Sequence, residues 1–151
     1  MLKFITAKKV KLNYLTSAPI LVNIAAYSLM LLFFHAAIDK LVIFQEFQNQ
    51  MSQSPLIPPQ LISFLAVFVP GAEIIMGCFV VFDKTRRMGF LLSFVTMLIF
   101  TLYLIMLVTI VENPPCACGG ILGEMGYTEH IIFNIAFTGI ALFGFLKHSY
   151  K

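Results

Sequence analysis

Tryptophan is absent from this chain, and so is the charge that a soluble protein of its length needs. Asp, Glu, Lys and Arg make up 11% of its 151 residues, whereas soluble chains carry about 25%. That shortage excludes a continuous polar skin. The residues present point the same way: 60% are hydrophobic, sixteen are Phe, and the mean hydropathy is +0.93. The chain reads as an integral membrane protein. It has no internal repeat, no long linker and no room for a separate soluble domain. Nothing in it points to nucleic acid. Cysteine is scarce too, with three residues in all. A complete oxidase with two Cys pairs is therefore excluded.

Four apolar runs stand out, at about residues 20–44, 61–82, 88–111 and 131–147. The first three are long enough to cross about 30 Å of hydrocarbon at 1.5 Å per residue. The fourth needs its interfacial flanks to complete the crossing. Without water, each run must satisfy its backbone internally as a helix. The expected fold is all-α, an integral membrane four-helix bundle forming one domain over residues 1–151. The first run is too long for the apolar core of a cleaved signal peptide and no small-x-small site follows it, so it reads as an uncleaved span.

The basic residues are sorted. Lys3, Lys8, Lys9 and Lys11 precede the first span, Lys84, Arg86 and Arg87 fill the second connection, and Lys147 and Lys151 follow the fourth span. Only Lys40 lies elsewhere, and the third connection, 112–130, has neither Lys nor Arg. The positive-inside rule then places both termini in the cytoplasm and the longer loops outside. For a bacterial inner membrane, that outside is the oxidising periplasm.

The third connection carries "VENPPCACGG", Val111 to Gly120. Pro114 and Pro115 end the preceding helix. The glycines that follow make the loop permissive, and Thr128 reads as the cap of the last span. A disulfide between Cys116 and Cys118 closes so small a loop that its entropic stabilisation is slight. Its geometry is strained, and strained, exposed disulfides are the exchangeable ones. Cys116 and Cys118 therefore read first as exchange thiols. The alternatives are a static disulfide, or a zinc or copper(I) site completed by His130, for which no fourth ligand is evident. Cys78, in the middle of the second span, reads as a small buried hydrophobe.

Polar residues inside the spans are costly and mark functional or packing sites. His35 and Asp39 are four apart and share a helix face. Glu73 lies roughly 18 Å in from the outer end of its span, and His35 roughly 9 Å in, by helix rise. A direct bond between the two needs a tilt or a water, and Lys40 could reach down to Glu73 instead. Three readings of Glu73 stay open: a neutral carboxyl hydrogen-bonded to a neighbouring helix, a proton-handling or quinone-adjacent site, and an ion pair that fixes the bundle. Asn134 and Thr138, with Ser93, Thr96 and Thr101, read as polar glue between helices.

"HAAIDKL" in the first span, "VPGAEIIMG" in the second and "CACGG" after the third together resemble the MauE branch of the DoxX-like membrane proteins, over roughly residues 20–147. The family pattern around the thiols is Cys-x-Cys-Phe-Gly or close to it. Here Gly119 replaces the aromatic and Gly120 is kept. The resemblance implies a redox-associated accessory membrane protein, like one linked to maturation of the disulfide-rich small subunit of methylamine dehydrogenase. It makes Cys116 and Cys118 the exchange thiols, and Lys40 and Glu73 the family's intramembrane charges. It also implies a thioredoxin-like periplasmic protein or an exported protein as partner. No bound cofactor is expected, although a quinone could take electrons near the outer ends of the spans. The alternative is a non-enzymatic scaffold subunit of a larger envelope complex.

Overall fold

The structure, a computed structural model, describes the backbone of residues 2–110 and 126–148, with side chains from Ile20 onward within those limits. Cys116 and Cys118 lie outside the described residues, as do Glu112, Glu124, Pro114, Pro115 and Lys151. Five helices follow in order: α1 (Leu2–Val42), α2 (Phe44–Ser52), α3 (Pro59–Val81), α4 (Arg86–Ile110) and α5 (Tyr127–His148). No strand occurs among the described residues. Four segments are long and apolar enough to cross a membrane: Ile20–Val42, Pro59–Val81, Arg86–Ile110 and Tyr127–His148. The protein is thus an all-α, multi-pass membrane bundle. Around its perimeter α1 packs on α3, α3 on α4 and α4 on α5, and α5 closes against α1.

Helix ends depart from the hydropathy reading because helices run on into polar flanks that hydropathy does not count. α3 starts at Pro59, where proline's missing N–H costs nothing. α5 starts at Tyr127, which puts Thr128 inside the helix and corrects its reading as the cap. Gly126 caps instead. Its carbonyl accepts the first helical bond from the His130 N–H at 3.0 Å. Its own N–H donates to Glu129 Oε2 at 3.2 Å, half of a capping box. The connection after α1 also holds a helix that hydropathy missed, the amphipathic α2, which buries Phe47 and Met51.

The α3–α4 turn is closed by one arginine. Arg86 Nε donates to the Val80 carbonyl at 3.1 Å and Nη2 to that of Val81 at 2.8 Å. These are terminal carbonyls of α3 that no helical N–H can reach. Its Nη1 pairs with Asp83 at 2.6 Å and donates to Asn23 Oδ1 of α1 at 3.0 Å. Arg87 lies over the Phe145 ring of α5, 5.5 Å from its centroid. One end of the bundle therefore gathers the 82–87 turn, Asn23 and the last turn of α5, which carries Lys147 and His148. α4 ends and α5 begins at the opposite end.

Lipid tails are as apolar as Leu, so close contact rather than the hydrophobic effect holds such helices together. The core combines Val22, Ala25, Ala26, Leu29 and Phe33 of α1 with Met76 and Val80 of α3, Phe90 and Met97 of α4, and Ala141 of α5. Ser93, Thr101 and Thr138 prove not to be interhelical glue. Each hydroxyl donates 2.7 Å to the carbonyl four residues back in its own helix, which satisfies it without a partner helix. Gly89 sets the closest approach of one backbone to another. A Cβ there would stand 2.6 Å from the Val80 backbone nitrogen, whereas one at Gly139 would meet nothing within 4 Å. Gly89→Ala should therefore destabilise the bundle by about 1–3 kcal/mol and Gly139→Ala should not, as measured by thermal unfolding in detergent.

Candidate functional site

Lys40 sits two residues before the end of α1, and Glu73 sits deep within α3, three residues after Pro70. The fold brings them together. Lys40 Nζ donates to Glu73 Oε1 at 2.7 Å, with 12% and 13% of the two side chains exposed. Nζ also donates to the Ala36 carbonyl at 3.3 Å and lies 5.9 Å from the centroid of the Phe47 ring. Of the three readings of Glu73, the geometry is that of the ion pair.

Counted along separate straight helices, Lys40 has to reach down from the outer end of its span to Glu73. α2 explains why they meet. At Ile43 the backbone leaves helical geometry, with φ −103° and ψ 35°. Even so, Ile43 still donates to the Asp39 carbonyl at 3.0 Å, and Phe47 to the Ile43 carbonyl at 2.9 Å. The chain bends without turning back, and α2 continues along α3. Phe34 lies against Gly77, Lys40 meets Glu73, and Phe47 and Met51 pack with Ala66, Ile62 and Leu65. These contacts form one antiparallel register. Lys40 is therefore midway along a broken helix, at the level of Glu73. Pro70 has no N–H, which frees the Ala66 carbonyl in the same stretch of α3.

His35 and Asp39 form a second pair, with Nδ1 and Oδ2 3.0 Å apart. The two differ in exposure, with 48% of the His35 side chain and 22% of the Asp39 side chain exposed. Asn134 is buried on α5 and joins neither pair. It stands one turn after His130, also buried, whose ring meets Phe100 edge-on at 6.0 Å. Phe100 stacks on Tyr103 at 6.3 Å, and the Tyr103 hydroxyl lies 2.9 Å from that of Ser54. This row ties the α2–α3 connection to α4 and α5 at the end from which residues 111–125 depart.

Sequence reading missed Phe47, Ser54 and Tyr103, and counted Arg86 only as one of the basic residues that set the orientation. The amphipathic spacing of Phe47 and Met51 in an otherwise polar stretch was the available signal for α2. Among the described residues, no three His, Cys, Asp or Glu side chains gather as a metal cluster would require.

Residues 18–147 match the family model described as methylamine utilisation protein MauE. The chain belongs to the MauE family. The matched range contains both charged pairs and the Cys116–Cys118 segment. No curated protein and no solved structure matches the chain.

Removing one member of a buried pair leaves an uncompensated charge and costs about 3–5 kcal/mol. Lys40→Met should therefore destabilise this MauE-family bundle by about 3 kcal/mol. Glu73→Gln keeps an acceptor for Nζ but leaves the ammonium without its counter-charge, so it should also destabilise the bundle, by a comparable amount. Denaturation in detergent micelles measures both losses.

Proposed function

We propose that this protein exchanges thiols and disulfides at the outer face of a bacterial inner membrane through Cys116 and Cys118. The observation that carries the reading is the Cys-x-Cys itself. It lies in the segment joining α4 to α5, within the range matched to the MauE family, and its spacing is poor for a static staple. Membership in a family named for methylamine utilisation supports a role beside an exported, disulfide-bonded client or its thioredoxin-like carrier.

The chemistry is a two-electron exchange. A thiolate of one protein attacks the disulfide of the other and forms a mixed disulfide. The second thiolate then attacks, releasing the first protein with its pair in the opposite state. One dithiol becomes a disulfide while one disulfide becomes a dithiol, so two electrons and two protons change hands.

Charge placement supports the orientation. Nine of the ten basic residues fall ahead of the first candidate span at Ile20, at the α3–α4 turn and the start of α4, or at and beyond the end of α5. The end carrying the 82–87 turn and Lys147 is then cytoplasmic, and residues 111–125 leave from the periplasmic end.

Trapping tests the reading. Cys116→Ser and Cys118→Ser variants leave one thiol without its resolving neighbour. At least one of them should accumulate a mixed disulfide with a thioredoxin-like or exported protein, resolved by dithiothreitol and identified by mass spectrometry. If neither does, and the wild-type pair keeps one alkylation state across glutathione buffers, the loop is static and the protein is a scaffold.

A further inference from the structure

The outward face of α1 carries a polar pair where hydrocarbon should be. Ile24, Tyr27, Leu31, His35, Ile38 and Val42 recur every three or four residues and are all exposed, so they form one stripe along the candidate span Ile20–Val42. Every member except His35 is a large apolar or aromatic residue. His35 lies about 10 Å back from the end of α1, by helix rise. Its Nδ1 is turned to Asp39 at 3.0 Å, which leaves Nε2 as the nitrogen toward the outside. Ionisable groups inside a span face a bundle interior, a watery cavity or a partner. This one faces out.

The shape of the surface selects the kind of partner. The apolar hollow of about 340 Å³ between α1 and α5 is lined by Leu21, Ile24, Ala25 and Ser28 from α1, so it stops short of His35. Around His35 the surface is a ridge, with Leu31, Ile38 and Val42 all more than half exposed. A ridge of large side chains along one helix suits packing against another helix better than enclosing a small molecule.

Charge identifies the helix. A polar pair in hydrocarbon is least costly when its members offset each other's charge. Such a His–Asp pair offers an outward N–H donor at Nε2 and, one turn further along α1 at the edge of the stripe, a carboxylate acceptor whose side chain is 22% exposed. A patch holding both a donor and an acceptor is complementary to itself, as a twofold interface requires. We propose that two copies of this chain pair through the outward stripe of α1, each His35 Nε2 meeting the carboxylate of the partner's Asp39. Two copies inserted in the same orientation, with the axis along the membrane normal, bring this stripe to itself at the same depth. The proposal stands apart from the thiol chemistry and concerns a different face.

Energy transfer between full-length chains tests it. Donor and acceptor fluorophores fused after Lys151 are mixed and reconstituted in phosphatidylcholine vesicles, and transfer is followed as the lipid-to-protein ratio rises. Transfer should persist on dilution, and His35→Leu should weaken self-association on the order of 3- to 10-fold, in line with polar contacts between membrane helices. Ile38→Ala, on the same stripe but outside the His35–Asp39 pair, should weaken it as well. Ile99→Ala, exposed on α4, should not. A wild-type chain that stays monomeric at every ratio overturns the proposal and leaves the face to a helix of another protein. A dimer indifferent to both His35→Leu and Ile38→Ala overturns it too.

Discussion

The Lys40–Glu73 ion pair is the constraint on which the arrangement of this bundle depends. Neither charge can be hydrated at its depth, so any register that separates them leaves two uncompensated ions in hydrocarbon. Any register that joins them fixes α1 against α3. At 2.7 Å the pair tolerates little sliding along the helix axes. The core around Leu29, Phe33, Val80 and Phe90 packs on one side of it, and the cluster of Phe47, Met51 and Ala66 on the other. The ion pair therefore separates two apolar layers and sets where each begins. The bend at Ile43 belongs to the same arrangement. It lets the chain leave the line of α1 just after Lys40 and still run along α3, so that Phe47 comes over the ammonium group.

The two ends of the bundle are finished by different means. At one end Arg86 joins α3, the turn and α1 through four polar contacts. Thr85 adds a fifth, donating to the Phe79 carbonyl at 3.0 Å. At the other end closure rests on aromatic contacts and one hydroxyl pair, from Ser54 through Tyr103 and Phe100 to His130. The proposed exchange chemistry belongs to this second end, where α4 ends and α5 begins.

Much of this was legible in the sequence, for physical reasons. Apolar runs must become helices in lipid, so the four spans and the all-α class follow from composition. The recurrence of "HAAIDKL", "VPGAEIIMG" and "CACGG" in order carried the MauE resemblance, and the family match covers the same stretch. Lys40 was legible as a partner that could reach down to Glu73, while depth counted along separate straight helices kept His35 and Glu73 at different levels. That counting could not see α2. A helix of nine residues with one buried edge leaves almost no trace in hydropathy. Ser93 and Thr101 were misread for a related reason, because a buried hydroxyl can bond its own helix as readily as a neighbour. The polar stripe position of His35 was visible as a spacing, but its outward direction needed the packing of α1 on α3 and α5.

The central claim is that attraction between these two charges, rather than the shape of either side chain, sets the register of α1 and α2 against α3. Exchanging the charges tests it most directly. Lys40→Glu alone places two carboxylates together, and Glu73→Lys alone places two ammonium groups together. Each single variant should lower the unfolding temperature in detergent, and the double variant Lys40→Glu/Glu73→Lys should recover a large part of the loss. A double variant whose loss is the sum of the two single losses would contradict the account, since independent sites add and coupled ones do not.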